Sequence, residues 1–147
     1  MSPQGKTSRY GRALEFEKNF SPCPVEDGDE IYPNGIFEFN ITKMIDFIHS
    51  NPSDFAMEEV SVDDFPPEFS SINEKHMDNV QLGEPVILAE IAPGRYNLID
   101  GNHRMEKARR LGVERIQAYR ICAEQHIEFL TSAKAYKVYV EYWNSKL

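Results

Sequence analysis

The residues Asp100-Gly101-Asn102-His103-Arg104 combine types and an order that can do chemistry. They lie between a run that reads as a strand, Tyr96-Asn97-Leu98-Ile99, and one that reads as a helix from about His103 to Leu111. A helix start leaves backbone N–H groups without intrahelical acceptors. Their partial positive charge makes the place receptive to phosphate. Gly101 permits a positive φ or the close approach of a ligand, and Asn102 is of a type that caps a helix. His103 and Arg104 fall in the first turn, where a cation opposes the helix dipole at a cost of about 0.3–1 kcal/mol each. A bound anion offsets that cost, and the planar guanidinium suits phosphate oxygens. The same spacing also fits an ordinary strand-to-helix turn, with Asn102 as cap and Arg104 paired to a neighbouring acid.

Phosphoryl transfer asks for more than a cradle. An acid must orient or deprotonate the acceptor, and Mg²⁺ is usually held by one or two carboxylates and the phosphates. Asp100 adjoins the turn and is the first candidate for a catalytic acid; it can equally pair with Arg104 or cap the helix. Glu38 is the second, because it interrupts the apolar stretch Phe37-Glu38-Phe39, although on a strand with a solvent face it is merely exposed. Glu58 and Glu59 stand in the same position. Lys107 either adds a phosphate contact or snorkels to solvent. His49 and His126 have no ligand-like partner spacing, so no zinc site is expected. No second histidine stands near His103 in sequence to make a nuclease metal site. Tyr136, Tyr139, Tyr142 and Trp143 form an aromatic stripe that reads as core before it reads as a binding surface.

The elements that must hold the turn are short. Residues 1–30, with Gly5, Gly11, Pro22, Pro24 and Gly28, lack periodicity and read as an arm, mobile or irregularly packed. Pro33-Asn34-Gly35 is a turn. Ile36 to Ile41 alternates as a strand with Phe37, Phe39 and Ile41 on one face. Thr42 is the expected cap of a helix carrying Met44, Ile45 and Ile48, which Asn51-Pro52 ends. Glu59 to Val62 reads as a strand, and Ser71-Ile72-Asn73-Glu74 as a capping box opening a helix over 72–80. Val86-Ile87-Leu88-Ala89 and Tyr96-Asn97-Leu98-Ile99 read as a hairpin joined by a type II turn at Pro93-Gly94. Gly112 is placed to close the helix that follows the Asp100 turn. Arg115 to Ile121 reads as a final strand, Glu124 to Leu130 as helical. Ala135 to Trp143 fits either a helix or a strand, and helix is preferred.

These residues carry a resemblance. From Pro85 through Asp100-Gly101-Asn102-His103-Arg104 to Leu111-Gly112 and Tyr119, the chain resembles the core of the ParB/sulfiredoxin superfamily. That core sets a glycine turn ending in arginine between a hairpin strand and a helix, with Gly and a further strand beyond. The turn reads Gly-Glu-Arg-Arg in the ParB branch, Gly-Cys-His-Arg in sulfiredoxins and close to Asp-Gly-His-His-Arg in the free-serine-kinase branch. The resemblance covers roughly residues 83–121. It implies that His103, Arg104 and the backbone amides from Gly101 and Asn102 onward contact the phosphates of a nucleoside triphosphate, with ATP or CTP and Mg²⁺ as the expected ligands. ParB members often have alanine where Lys107 stands, so a Lys107 phosphate contact would be an addition to the family pattern. Asn102 stands where sulfiredoxins carry the catalytic cysteine, so that repair chemistry is excluded. Too few residues follow Ile121 for the helix-turn-helix domain of DNA-partitioning members. The upstream phosphate-binding helix of ParB has no motif match; the 72–80 segment takes its place, with Glu74 or His76 as candidates.

Composition frames the outcome. A formal net charge of −8 disfavours nucleic acid on average. Residues 26–68 are rich in acids with Lys43 as their one Lys or Arg, whereas residues 103–120 carry Arg104, Lys107, Arg109, Arg110, Arg115 and Arg120 against Glu106 and Glu114. No apolar run approaches the ~20 residues of a membrane helix, and no export signal is read at the N-terminus, so Cys23 and Cys122 are expected as free thiols in the cytoplasm. The expectation is an α+β domain over 31–147, with a small mixed sheet and short helices, after an arm at 1–30. Its expected work is nucleotide-dependent phosphotransfer or phosphohydrolysis on a small molecule. Two other readings stand beside it: a nucleic-acid-binding or nuclease module, and a catalytically silent module that binds an unknown protein partner.

Overall fold

The computed structural model describes residues 12–33, 37–67 and 72–147. These divide into two compact units: one holds the chain up to Phe55 with Ala89–Asn97 and Ile121–Leu147, the other Ala56–Leu88 with Leu98–Arg120. The elements are β1 (Ile31–Pro33), β2 (Glu38–Asn40), α1 (Ile41–Ser50), β3 (Met57–Ser61), β4 (Val86–Ala92), β5 (Arg95–Asp100), α2 (Asn102–Arg110), β6 (Arg115–Ile121), α3 (Ala123–His126) and α4 (Ala133–Ser145). Short 3-10 helices intervene, among them Glu74–Asn79. Small sheets with short helices make this an α+β chain. No helix among the described residues is long and apolar enough to cross a membrane.

In the first unit β1 and β2 pair antiparallel, Tyr32 opposite Phe39. Phe37, Phe39 and Ile41 are buried as the alternation requires. The strand is shorter than expected because Asn40 turns the chain into α1: its Oδ1 accepts from the Lys43 amide at 3.0 Å. Asn40, not Thr42, is therefore the cap; Thr42 Oγ1 instead accepts from the Glu30 amide. The aromatic stripe is core, with Tyr136, Tyr139 and Trp143 buried on α4, and a helix is what that segment forms. The described part of the N-terminal arm has no regular structure, yet it is tied to α4. Leu14 exchanges two hydrogen bonds with Asn144, Trp143 Nε1 donates to the Arg12 carbonyl at 2.8 Å, and Phe20 stacks on Tyr136 with ring centres 4.0 Å apart.

β3, β6, β4 and β5 lie in that order in a four-stranded sheet, β3 antiparallel to β6 with Val60 opposite Ile116. Strands β4 and β5 run from one unit into the other. Gly94, at φ 72°, supplies the left-handed residue that the Pro93-Gly94 turn requires, and both hairpin strands are longer than the sequence suggests. The 72–80 segment is a 3-10 helix rather than an α-helix: of its helical residues Met77 alone is buried, so no apolar stripe favours the wider coil. Asn73 caps it through the Lys75 amide; Ser71, the expected cap, lies outside the described residues, as do Asn34 and Gly35 of the expected turn and Ile36. Gly112, at φ 74°, ends α2 in a Schellman motif, its amide donating to Arg109 O and that of Val113 to Ala108 O.

Candidate functional site

Hairpin strand β5 delivers Asp100 as its last residue, and Gly101 then bends the chain into α2 at φ 105°, ψ 26°. Only glycine adopts that conformation freely. Space adds a second demand: a Cβ on Gly101 would sit 2.5 Å from Val86 Cγ1 on β4. The glycine is thus fixed by the packing of β4 as much as by the bend. It is also the N-cap, and Asn102 is the first helical residue, so the expected asparagine cap is absent and the cap contributes no side-chain acceptor to the first-turn amides. No acid occupies that turn.

Arg104 folds back along the turn. Its Nη1 donates to the Pro85 carbonyl at 2.7 Å and its Nη2 to Asp100 Oδ2 at 2.8 Å. The Glu84 carboxylate lies 3.8 Å from Nη1, and the guanidinium Nε is 3.3 Å from the place a Gly101 Cβ would take. Of the roles open to Asp100, pairing with Arg104 is the one adopted. His103 Nε2 accepts the Asn73 amide at 2.8 Å, which places the ring proton on Nδ1. Burial, with His76 adding to it and Glu74 opposing, holds the His103 pKa below the ordinary histidine range. His76 packs edge-on against it with ring centres 5.3 Å apart. A second histidine does therefore stand beside His103, brought by the 3-10 segment, but the hydrogen-bonded Nε2 is closed to a metal. No group of three His, Cys, Asp or Glu among the described residues is arranged for one. Lys107 does not face the turn; it donates to the Val80 carbonyl at 2.9 Å and closes the end of the 3-10 helix.

The rest of the basic run is paired within the same unit. Arg109 binds Glu106 and the Phe65 carbonyl. Arg110 clamps Glu74 through both Nη atoms, at 2.8 and 2.7 Å, and reaches Glu106 through Nε. Burial raises the Glu106 pKa, but the Arg110 and Arg109 hydrogen bonds outweigh it and the net shift is downward. Arg115 and Arg120 meet Glu59 and Glu58 across β3–β6. Glu38 belongs to the other unit, where it is exposed on β2 and accepts from Thr131 Oγ1 at 2.7 Å.

That other unit holds a polar cluster that sequence patterning missed. Glu90, in the middle of β4, is fully buried, as is His126 on α3. The Glu90 carboxylate accepts from the Gly94 amide at 2.9 Å and the Ala123 amide at 3.2 Å. Its carbonyl receives Tyr139 Oη at 2.7 Å and His126 Nε2 at 2.6 Å. A carbonyl cannot donate, so the His126 proton is on Nε2, and Nδ1 has no hydrogen-bond partner among the described residues. Burial pushes His126 down to about 4 and pushes the Tyr139 hydroxyl well above the tyrosine range. The one available signal was Glu90 itself, an acid inside the apolar run 86–92.

Comparison of the chain with protein-family models, with curated proteins and with solved structures returns no match.

Proposed function

We propose that this protein binds the phosphate groups of a nucleotide at the Asp100–Arg104 turn of a ParB/sulfiredoxin-like core. The observation that carries the reading is that α2 opens on Gly101, without a side-chain cap and with no acid in its first turn, while an arginine lies along the same bend. Amides of this kind, aided by the helix dipole, favour an anion. His103 joins them as a neutral Nδ1–H donor. The succession of hairpin, glycine turn, helix, glycine and strand agrees with the resemblance read from the sequence. On this reading the reaction is nucleotide-dependent phosphotransfer or phosphohydrolysis on a small molecule in the cytoplasm. The described residues next to the turn offer Asp100 as the adjacent carboxylate, and Arg104 engages it; no protein-held metal centre is proposed, and Mg²⁺ enters with the nucleotide. The nucleic-acid reading loses its motive, because the arginines of the basic run are hydrogen-bonded or close to acids and carbonyls of their own unit.

Isothermal titration with ATP and with CTP in the presence of Mg²⁺ tests this. Saturable binding is expected, weakened at least tenfold in Arg104→Ala, the scale of a lost charge-assisted contact. Absence of binding by any nucleotide to the folded wild-type protein removes the proposal.

A further inference from the structure

We propose that Asp100 is an internal competitor for the Arg104 guanidinium, a built-in anion that an incoming phosphate must displace and that a carboxylate ligand cannot. The inference rests on the phosphate reading above and concerns the regulation and selectivity of that same site. Arg104 and Asp100 are largely withdrawn from solvent, with 15% and 11% of their side chains exposed, so solvent screens their attraction less than that of a surface pair. The guanidinium has two distinct engagements. Nη1 is bound by the Pro85 carbonyl, a neutral group of the backbone, and Nη2 by one oxygen of Asp100. Pro85 fixes where the guanidinium sits; Asp100 decides what else it can hold.

Asp100 is tethered four residues from Arg104, so it competes at a high effective concentration. A free monocarboxylate offers the guanidinium the same chemistry as Asp100 without that advantage, and it loses. A phosphate carries more charge and more oxygens. It can take the Nη2 donor and the first-turn amides beyond Gly101 together, which the tethered carboxylate does not do. The exchange costs the repulsion between the phosphate and the released Asp100 carboxylate, with Glu84 adding to it at 3.8 Å from Nη1. Such like-charge placement suppresses ligands that bring too little charge in return. The site is thereby tuned to phosphate and polyphosphate, and Asp100 acts as a specificity-determining residue.

Asp100→Asn separates the ideas, because the amide oxygen keeps a hydrogen bond to Nη2 while the competing charge is gone. Titrations with inorganic pyrophosphate and, in parallel, with acetate at low ionic strength are expected to show pyrophosphate binding to wild type and about tenfold or tighter binding to Asp100→Asn. Acetate is expected to bind only the variant. If wild type binds pyrophosphate and the variant binds it no more tightly, the competitor role is overturned and the phosphate reading stands. If the folded wild-type protein does not bind pyrophosphate at all, the phosphate reading itself falls. Carboxyl-carbon NMR of wild type gives an independent check should the variant misfold. The Asp100 signal is expected to shift along the pyrophosphate saturation curve, and saturation with that signal unmoved overturns the inference.

Discussion

At the α2 turn an acid and an arginine meet with 11% and 15% of their side chains exposed, whereas Glu90 and His126 meet at zero exposure. Both clusters lean on the β4–β5 hairpin, and both join side chains to backbone groups. They differ in what their partners can do. The Glu90 carboxylate is satisfied by two amides of the fold itself, Gly94 at the hairpin turn and Ala123 at the start of α3. No ligand can replace those amides without taking the fold apart. Arg104 is satisfied by a backbone carbonyl and by a side-chain carboxylate, and on the proposal above the second of these is exchanged for another anion. Chemical composition does not separate a structural polar cluster from a binding site here; the replaceability of the partners does.

Removing the acid from each cluster gives the widest separation. Glu90→Ala leaves the buried Ala123 amide and the more exposed Gly94 amide without their acceptor and a cavity where the side chain stood, and roughly 3–5 kcal/mol of stability is expected to be lost. Asp100→Ala removes one partner of a largely buried pair but leaves Arg104 the Pro85 carbonyl and the nearby Glu84 carboxylate, and is expected to cost about 1–2 kcal/mol. Urea unfolding of the two variants measures both. Equal losses would erase the distinction between a closed cluster and an exchangeable one.

Acid is the next lever, and it acts on the closed cluster through His126. Protonation would place a charge and a new N–H at Nδ1, which has no hydrogen-bond partner among the described residues. The folded-state pKa of about 4 lies below the ordinary 6.5. Between these values the unfolded chain binds the proton and the folded chain does not, so stability is at its full level above pH 6.5, falls as pH drops through this window, and levels off near 4. The loss attributable to this group is about 3 kcal/mol. His103 is shifted in the same direction by burial, so the wild-type curve contains both. His126→Gln keeps a donor for the Glu90 carbonyl and does not titrate; its stability is expected to fall much less over the same window. An acid limb of undiminished depth in that variant would show that His126 stays neutral in the fold for no energetic consequence.

The difference between the clusters also governs what could be read from sequence. The α2 turn was legible because its determinants are contiguous: Pro93-Gly94 for the hairpin, Gly101 for the bend and Gly112 for the Schellman end all act over a few residues. What surrounds the turn was not. Asn73 and Pro85 reach it from 30 and 19 residues away through backbone atoms, which residue type does not announce. Lys107 was assigned to phosphate or solvent and instead ends the 3-10 helix. The Glu90 cluster was illegible for a sharper reason. An acid at position 90 argues for ending the strand at Ala89, and its partners at 123, 126 and 139 have meaning only once α3 and α4 are docked. Pattern reading treats buried charge as an error, so it fails where a charge is buried and satisfied.

The smallest effect is expected where a polar pair is neither closed nor placed for exchange with a ligand. Glu58 and Arg120 bridge β3 and β6 with 47% and 39% of their side chains exposed. Water competes for both groups, salt screens them, and each gives up rotamer freedom to hold the pair. A double-mutant cycle with Glu58→Gln and Arg120→Gln is expected to give a coupling under about 1 kcal/mol, smaller again at high salt. The antiparallel register, with Val60 opposite Ile116, holds the strands without the pair. A coupling as large as the loss at Glu90 would mean that partner chemistry outweighs exposure. Arg104 and Asp100 would then have to be regarded as a fixed structural pair, since a bond that strong in open solvent would not yield to an incoming phosphate.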